Sequence, residues 1–177
     1  MGYPIDPQEE LLIRECLAND RLAQQRLYDR YKTAMYTTSY RILTDFEEAS
    51  DALQEAFIQV FQGLPTFRQQ STLGAWIKTI VVRTSLRRLK RLRFTEQLEE
   101  GVYDGVIEWQ DGLTGEYLDK AIRELPEGYR SVFVMREVEG YTHKEVGEML
   151  GISEGTSKSQ LYRAKRSLQT KLKELMP

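Results

Sequence analysis

The segment from Tyr141 to Leu168, YTHKEVGEMLGISEGTSKSQLYRAKRSL, constrains the fold more than any other part of the chain. Thr142 and Glu145 stand at the Thr-x-x-Glu spacing of a capping box, which predicts a helix starting at Thr142 with its first amides satisfied. Val146, Met149 and Leu150 then repeat at helical spacing, and Gly151 tolerates the positive φ that a helix stop requires. Ile152 follows as an apolar plug. Ser153 can cap a second helix whose charges include Lys158, Arg163, Lys165 and Arg166. Two short helices joined by a glycine turn, the second one basic, have the shape that enters a DNA major groove. Capped helix pairs with solvated basic faces are also common, so the rest of the chain has to discriminate.

Composition narrows the field. A chain of 177 residues forms one domain or two small ones, and 41% hydrophobic with 29% charged residues is the balance of a soluble protein. No apolar run approaches the roughly 18 residues a membrane span needs. The start, MGYPIDPQEE, lacks a basic and then apolar secretory pattern, so the expected compartment is the cytoplasm, with no membrane insertion. Cys16 is the lone cysteine, which excludes an intramolecular disulfide, and with His143 the lone histidine a Cys/His zinc site is not expected. Cys16 is placed as a small buried residue of the first helix and His143 as an exposed residue at a helix start. There is no glycine-rich phosphate loop and no nucleophile at an identifiable spacing from His143. Neither an enzyme nor a cofactor or metal is expected.

Net charge is −2, but the charge is segregated. Residues 1–66 carry 6 Lys/Arg against 11 Asp/Glu, and residues 67–93 carry 8 against none. Residues 94–127 carry 2 against 10, and residues 128–177 carry 9 against 6. Two basic segments alternating with two acidic ones suit a chain that touches nucleic acid at two places and another partner with its acidic surface.

Helical periodicity accounts for most of the chain. Glu9 to Asn19 forms a helix with Leu11, Leu12, Cys16 and Leu17 on one side. Asp20 caps a second that runs through Leu22, Leu27, Tyr31, Met35, Tyr36 and Tyr40. After a break near Thr44, a third holds Ala49, Ala52, Leu53, Ala56, Phe57, Val60 and Phe61, and Gly63-Leu64-Pro65 ends it. Arg68 to Ser71 is a polar loop, and Thr72 to Arg93 a further helix. The pattern dissolves from Phe94 to Asp111 and resumes at Gly115 or Glu116, with a helix to Leu125 stopped by Pro126 and another from Tyr129 to Glu139 closed by Gly140. No strand-type alternation occurs. The fold class is all-α: two small helical domains, 1–93 and 116–177, joined by a flexible acidic linker over 94–115, the second a helix-turn-helix (winged-helix-like) domain.

Arg83, Arg87, Arg88, Lys90, Arg91 and Arg93 crowd into eleven residues, a density that is repulsive without an anion nearby. Phosphates would serve, and binding would then fall with salt. Trp76, near Phe67, either supports an unstacked base or is core, since it lies in register with Leu73 and Ile80.

Together the two halves resemble a bacterial RNA polymerase sigma factor of the sigma-70 family, extracytoplasmic-function (ECF) subfamily. LYDRYKTAMYTTSYRIL from Leu27, EEASDALQEAFIQVFQGLPTFR from Glu47 and AWIKTIVVRT from Ala75 match its region 2. AIRELPEGYRSVFVMREVEGYTHKEVGEMLGISEGTSKSQLYRAKRSL matches region 4, with specific phrases in LP-x-x-x-R, EG-Y-T-x-x-E-V and LGIS-x-GT-x-KS-x-LYRA. The resemblance implies a promoter-specificity subunit that recognises −35 and −10 elements and helps melt DNA. It implies as partners core RNA polymerase (its largest and second-largest subunits), promoter DNA and an anti-sigma factor. Asp51, Gln54 and Glu55 resemble the face that docks on the clamp helices of the largest subunit. Gln69, Gln70, Ser71, Trp76, Arg83, Thr84, Arg87, Arg88 and Arg91 occupy the place that captures the melted −10 strand. Thr156, Lys158, Ser159, Tyr162, Arg163 and Lys165 occupy the place that meets the −35 element. Arg163 or Lys158 is suited to guanine edges, Thr156 and Lys165 to phosphates.

The chain departs from the family pattern at informative positions. Gln69-Gln70 stands where Gly-Asp or Gly-Glu is frequent, Arg83 where Asn is, and Arg87 where Asp is. Ser157 replaces the usual valine of the recognition helix. Its buried hydroxyl needs a partner, for which a carbonyl one turn back is the expectation. Two readings from other classes remain: a stand-alone helix-turn-helix regulator and an interaction protein that sequesters a partner through its acidic linker.

Overall fold

A computed structural model describes residues 6–93 and 115–175; the expected linker therefore lies outside the described residues except for Gly115. The chain divides into two compact units, Met1–Arg93 and Phe94–Pro177. The described residues contain no strand. None of their helices is long and apolar enough to cross a membrane.

The first unit packs four helices: α1 (Pro7–Leu17), α2 (Arg21–Leu43), α3 (Phe46–Gly63) and α4 (Leu73–Arg93). An aspartate caps each of the first three. Asp6 accepts from Gln8 N, Asp20 from Leu22 N and Ala23 N, and Asp45 from Glu48 N, satisfying amides that a helix start leaves orphaned. Thr72 does the same for α4, accepting from Ala75 N at 3.2 Å. Ala49, Ala52 and Ala56, all fully buried, let α3 lie close to its neighbours. Leu73, Ile77 and Val81 of α4 fill the centre, each worth about 1.5–3 kcal/mol of apolar burial.

Helix α1 corrects the expected face. Leu11 and Leu17 are exposed, whereas Leu12, Ile13, Cys16 and Glu9 are buried. The physical reason is Glu9, whose carboxylate accepts from Tyr31 Oη at 2.7 Å and turns the 9-12-13-16 side of α1 toward α2. Burial and the adjacent Glu9 carboxylate hold the Tyr31 phenol protonated, well above its ordinary range. Leu22, expected on the apolar side of α2, is also exposed, because it lies in the first turn beside the Asp20 cap.

The second unit holds α5 (Gly115–Arg123), α6 (Glu127–Phe133) continued by a π-turn over Val134–Val138, α7 (His143–Leu150) and α8 (Glu154–Leu175). The LP-x-x-x-R phrase has a plain role here. Arg130 is buried and donates from Nη1 to the Leu125 carbonyl at 3.0 Å and the Arg123 carbonyl at 3.4 Å, so it closes the open end of α5. The helix expected over Tyr129–Glu139 starts two residues earlier, after Pro126, and widens into the π-turn before Gly140 at φ +80°. Val132, Val134, Met135, Val146, Ala164 and Leu168 are fully buried.

Candidate nucleic-acid interface

The helix-turn-helix forms as its sequence pattern predicts. Glu145 N donates to Thr142 Oγ1 at 3.2 Å, and Thr142 N donates to Glu145 Oε2 at 2.8 Å. The hydrogen bonds that Thr142 N and Thr142 Oγ1 donate to Glu145 Oε2 lower the Glu145 carboxyl below its ordinary value. Gly151 sits at φ +71°, Ile152 N donates to the Gly147 carbonyl at 3.0 Å, and Thr156 N donates to Ser153 Oγ at 2.9 Å. Gly147 is needed for closeness, since a Cβ there would stand 2.8 Å from the Ile152 carbonyl oxygen.

On α8 the buried stripe is Ser157, Leu161, Ala164 and Leu168, which leaves Lys158, Ser159, Tyr162 and Arg163 on the outward side. Ser157 is fully buried, and its Oγ lies 2.9 Å from His143 Nδ1. This corrects two expectations at once. The partner of Ser157 is an imidazole rather than a carbonyl, and His143 is half-buried rather than exposed, because its ring fills the space the smaller serine leaves. Burial, then Arg136 and Lys158, push the imidazole pKa below its ordinary value against the opposing pull of Glu154 and Glu137.

Four −35 candidates have partners within the unit. Lys165 Nζ, expected to hold a phosphate, lies 3.0 Å from Glu137 on the π-turn. The Thr156 hydroxyl is 2.8 Å from the Ser153 hydroxyl in the helix cap. Ser159 donates to the Thr156 carbonyl at 3.0 Å, and Lys158 pairs with Glu154 one turn back at 2.6 Å. Tyr162 and Arg163 are partly exposed and carry no ion pair among the described residues.

In the first unit, Gln69 and Gln70 are exposed, Gln69 in the left-handed region at φ +56°, and Ser71 Oγ donates to the Thr72 carbonyl at 3.3 Å. Trp76 is half-buried, packed against Phe67 with ring centroids 5.2 Å apart and against the core. Thr84 is fully buried and accepts from Gln59 Nε2 at 3.2 Å. It thereby links α4 to α3.

The acidic face and the basic helix prove to be neighbours. Asp51 and Gln54 are exposed on α3 and Glu55 is half-buried beside them. Arg88 of α4 pairs with Glu48 and, at 2.7 Å, with Asp51. Arg87 and Arg91 reach Glu55 at 3.8 Å and 3.5 Å. For Arg87, Arg88 and Arg91 the anion is therefore supplied within the unit. Arg88, with 21% of its side chain exposed, acts as a strut between α4 and α3. Arg83 is exposed and unpaired among the described residues, and so is Lys90, which the sequence candidates omitted. Its signal was spacing: Trp76, Arg83 and Lys90 stand seven residues apart, two helical turns each time.

These two sites coincide with two family matches. Residues 27–95 match the model for sigma-70 region 2, and residues 115–168 match the model for sigma-70, region 4. The chain is 31% identical over 159 residues to the ECF RNA polymerase sigma factor SigM of Mycobacterium tuberculosis, covering 89% of this chain and 81% of that one. The chain belongs to the ECF sigma factors. SigW of Bacillus subtilis, another ECF RNA polymerase sigma factor, is 28% identical over 180 residues, covering 92% of this chain and 96% of SigW. Among solved structures, the sigma factor RpoE of Bartonella quintana, crystallised with the anti-sigma factor NepR, gives a TM-score of 0.57 at 21% identity over 84% of this chain and 96% of that one. CnrH in complex with the cytosolic domain of CnrY gives 0.53 at 18% identity over 93% and 96%. Both share the fold of this sigma factor.

Proposed function

We propose that this sigma factor directs core RNA polymerase, through its largest and second-largest subunits, to promoters whose −35 element meets α8 and whose −10 strand meets the loop at 69–71 and α4. As an ECF sigma factor it is a promoter-recognition subunit for transcription initiation, and the bond-making chemistry belongs to the polymerase. The observation that carries the reading is the pairing, in one chain and in this order, of a region 2 unit and a region 4 unit. Three features support the finer assignment. Asp51, Gln54 and Glu55 offer a polar acidic face for docking; Arg83 is exposed and unpaired among the described residues two helical turns beyond Trp76; Tyr162 and Arg163 face outward from a properly capped helix-turn-helix. The place of action is the cytoplasm, and an anti-sigma factor, like those bound to RpoE and CnrH, is the further partner.

Reconstituted transcription tests the proposal. Core enzyme plus this chain should initiate at a set of promoters that neither component uses alone. Failure to form a holoenzyme, with tight specific duplex binding by the isolated chain, would instead establish a stand-alone regulator. Co-purification from cells tests the anti-sigma partner.

A further inference from the structure

Helix α4 carries its cations in two populations. Arg83 and Lys90 are exposed and unpaired among the described residues, and with Trp76 they recur every seven residues on nearly the same side of the helix. That spacing places successive members about 10.5 Å apart along the axis, a track suited to a single strand. Arg87 and Arg91 are four residues beyond Arg83 and one beyond Lys90, at the edge of that track, yet both lean toward α3. Glu55 receives them at 3.8 Å and 3.5 Å, and Arg87 Nη2 also donates to Gln59 Oε1 and Thr84 Oγ1, each at 3.4 Å. Glu55 is also a member of the proposed docking face. One carboxylate thus touches both functions.

We propose that Glu55 holds Arg87 and Arg91 off the strand track in the free chain, and that a cationic docking surface, by taking up this carboxylate, releases them to phosphates. The inference rests on the docking and strand-binding reading given above. A guanidinium presents the same fork of donors to a carboxylate as to a phosphate, so Glu55 stands in for the nucleic-acid anion. Exposed ion pairs are weak and exchange readily, which makes the hold a bias that a partner can reverse. Arg88 differs. It is more deeply buried between Glu48 and Asp51 and stays a strut in both states. Docking on polymerase therefore adds two cations to a track that Arg83 and Lys90 already mark, and strand affinity rises where it is needed.

The test is a titration of a fluorescent single-stranded oligonucleotide with the full chain, free and saturated with core polymerase, over a range of salt. Glu55→Gln should tighten binding by the free chain about three- to tenfold and steepen its salt dependence by ~0.7 for each arginine released. Glu47→Gln makes the same charge change at an exposed α3 residue with no ion pair to α4 among the described residues, and should change affinity less than about twofold. Arg87→Ala combined with Arg91→Ala should cost the free chain less than about twofold and the holoenzyme severalfold. No gain in Glu55→Gln, equal gains in both glutamate variants, or equal losses in both states for the arginine pair overturns the release. Failure of the underlying reading looks different: Arg83→Ala with Lys90→Ala would then leave strand binding by the holoenzyme unchanged.

Discussion

The two basic helices, α4 and α8, neutralise their charge in different ways. On the outward side of α8, Lys158 pairs with Glu154 four residues earlier on the same helix, while Lys165 and Lys171 reach Glu137 and Glu124 outside it. In α4, Arg87, Arg88 and Arg91 pair with Glu48, Asp51 and Glu55 of a different helix, across about 40 residues of chain at the widest. A local pair leaves the outward face of α8 much as its sequence displays it. The long-range pairs turn Arg87, Arg88 and Arg91 toward α3 and leave Arg83 and Lys90 exposed without an ion pair among the described residues. A run of arginines is therefore a weaker guide to a binding surface than an equally basic helix whose acids are its own neighbours.

The largest effect that would sharpen this contrast concerns how tightly each unit is closed. Gly147→Ala places a methyl 2.8 Å from a backbone oxygen, whereas a Cβ at Gly63 meets only the Trp76 ring at 3.4 Å. Gly147→Ala should destabilise the second unit by about 3 kcal/mol, and Gly63→Ala should shift the first by well under about 1 kcal/mol. Denaturant unfolding of the full chain, followed by probes in each unit, measures both.

Next in size is the difference between strut and reserve on α4. Arg88→Ala strands two carboxylates and should cost the first unit about 1–2 kcal/mol. Arg91→Ala, with 63% of its side chain exposed, should cost about 0–1 kcal/mol. Equal losses in thermal unfolding would erase the distinction between the two populations.

The smallest effect is at the helix-turn-helix seam. Ser157→Val removes the hydrogen-bond partner of His143 and should cost about 1 kcal/mol; adding His143→Leu should recover most of it by restoring an apolar plug. His143 is held below its ordinary pKa of 6.5 in the folded state. The unfolded chain thus binds the proton more readily, and this group's contribution is present above about pH 6.5 and lost as pH falls through the folded value. The second unit should melt at a lower temperature near pH 5 than near pH 7. A melting point equally pH-sensitive in the His143→Leu chain would assign the effect elsewhere.

Helix caps and apolar periods were legible because each depends on residues within four positions of one another. Asp20, Thr142 and Ser153 act where the pattern put them. The α1 face was misplaced because a carboxylate, Glu9, lies on its buried side through a bond to Tyr31, 22 residues away. The burial of Thr84 was hidden for a related reason: a threonine amid basic residues resembles a surface position until Gln59 is brought over it. Ser157 was singled out correctly, but its partner was not, since His143 is 14 residues distant and on another helix.

Local order and family membership follow from the linear chain, since capping boxes, turn glycines and helical periods are short-range and the region 2 and region 4 motifs are contiguous. Which charges are free follows from packing. An arginine's availability depends on whether a carboxylate from another helix lies within about 4 Å, where an ion pair forms, and only the assembly of α3 against α4 sets that distance for Arg87, Arg88 and Arg91.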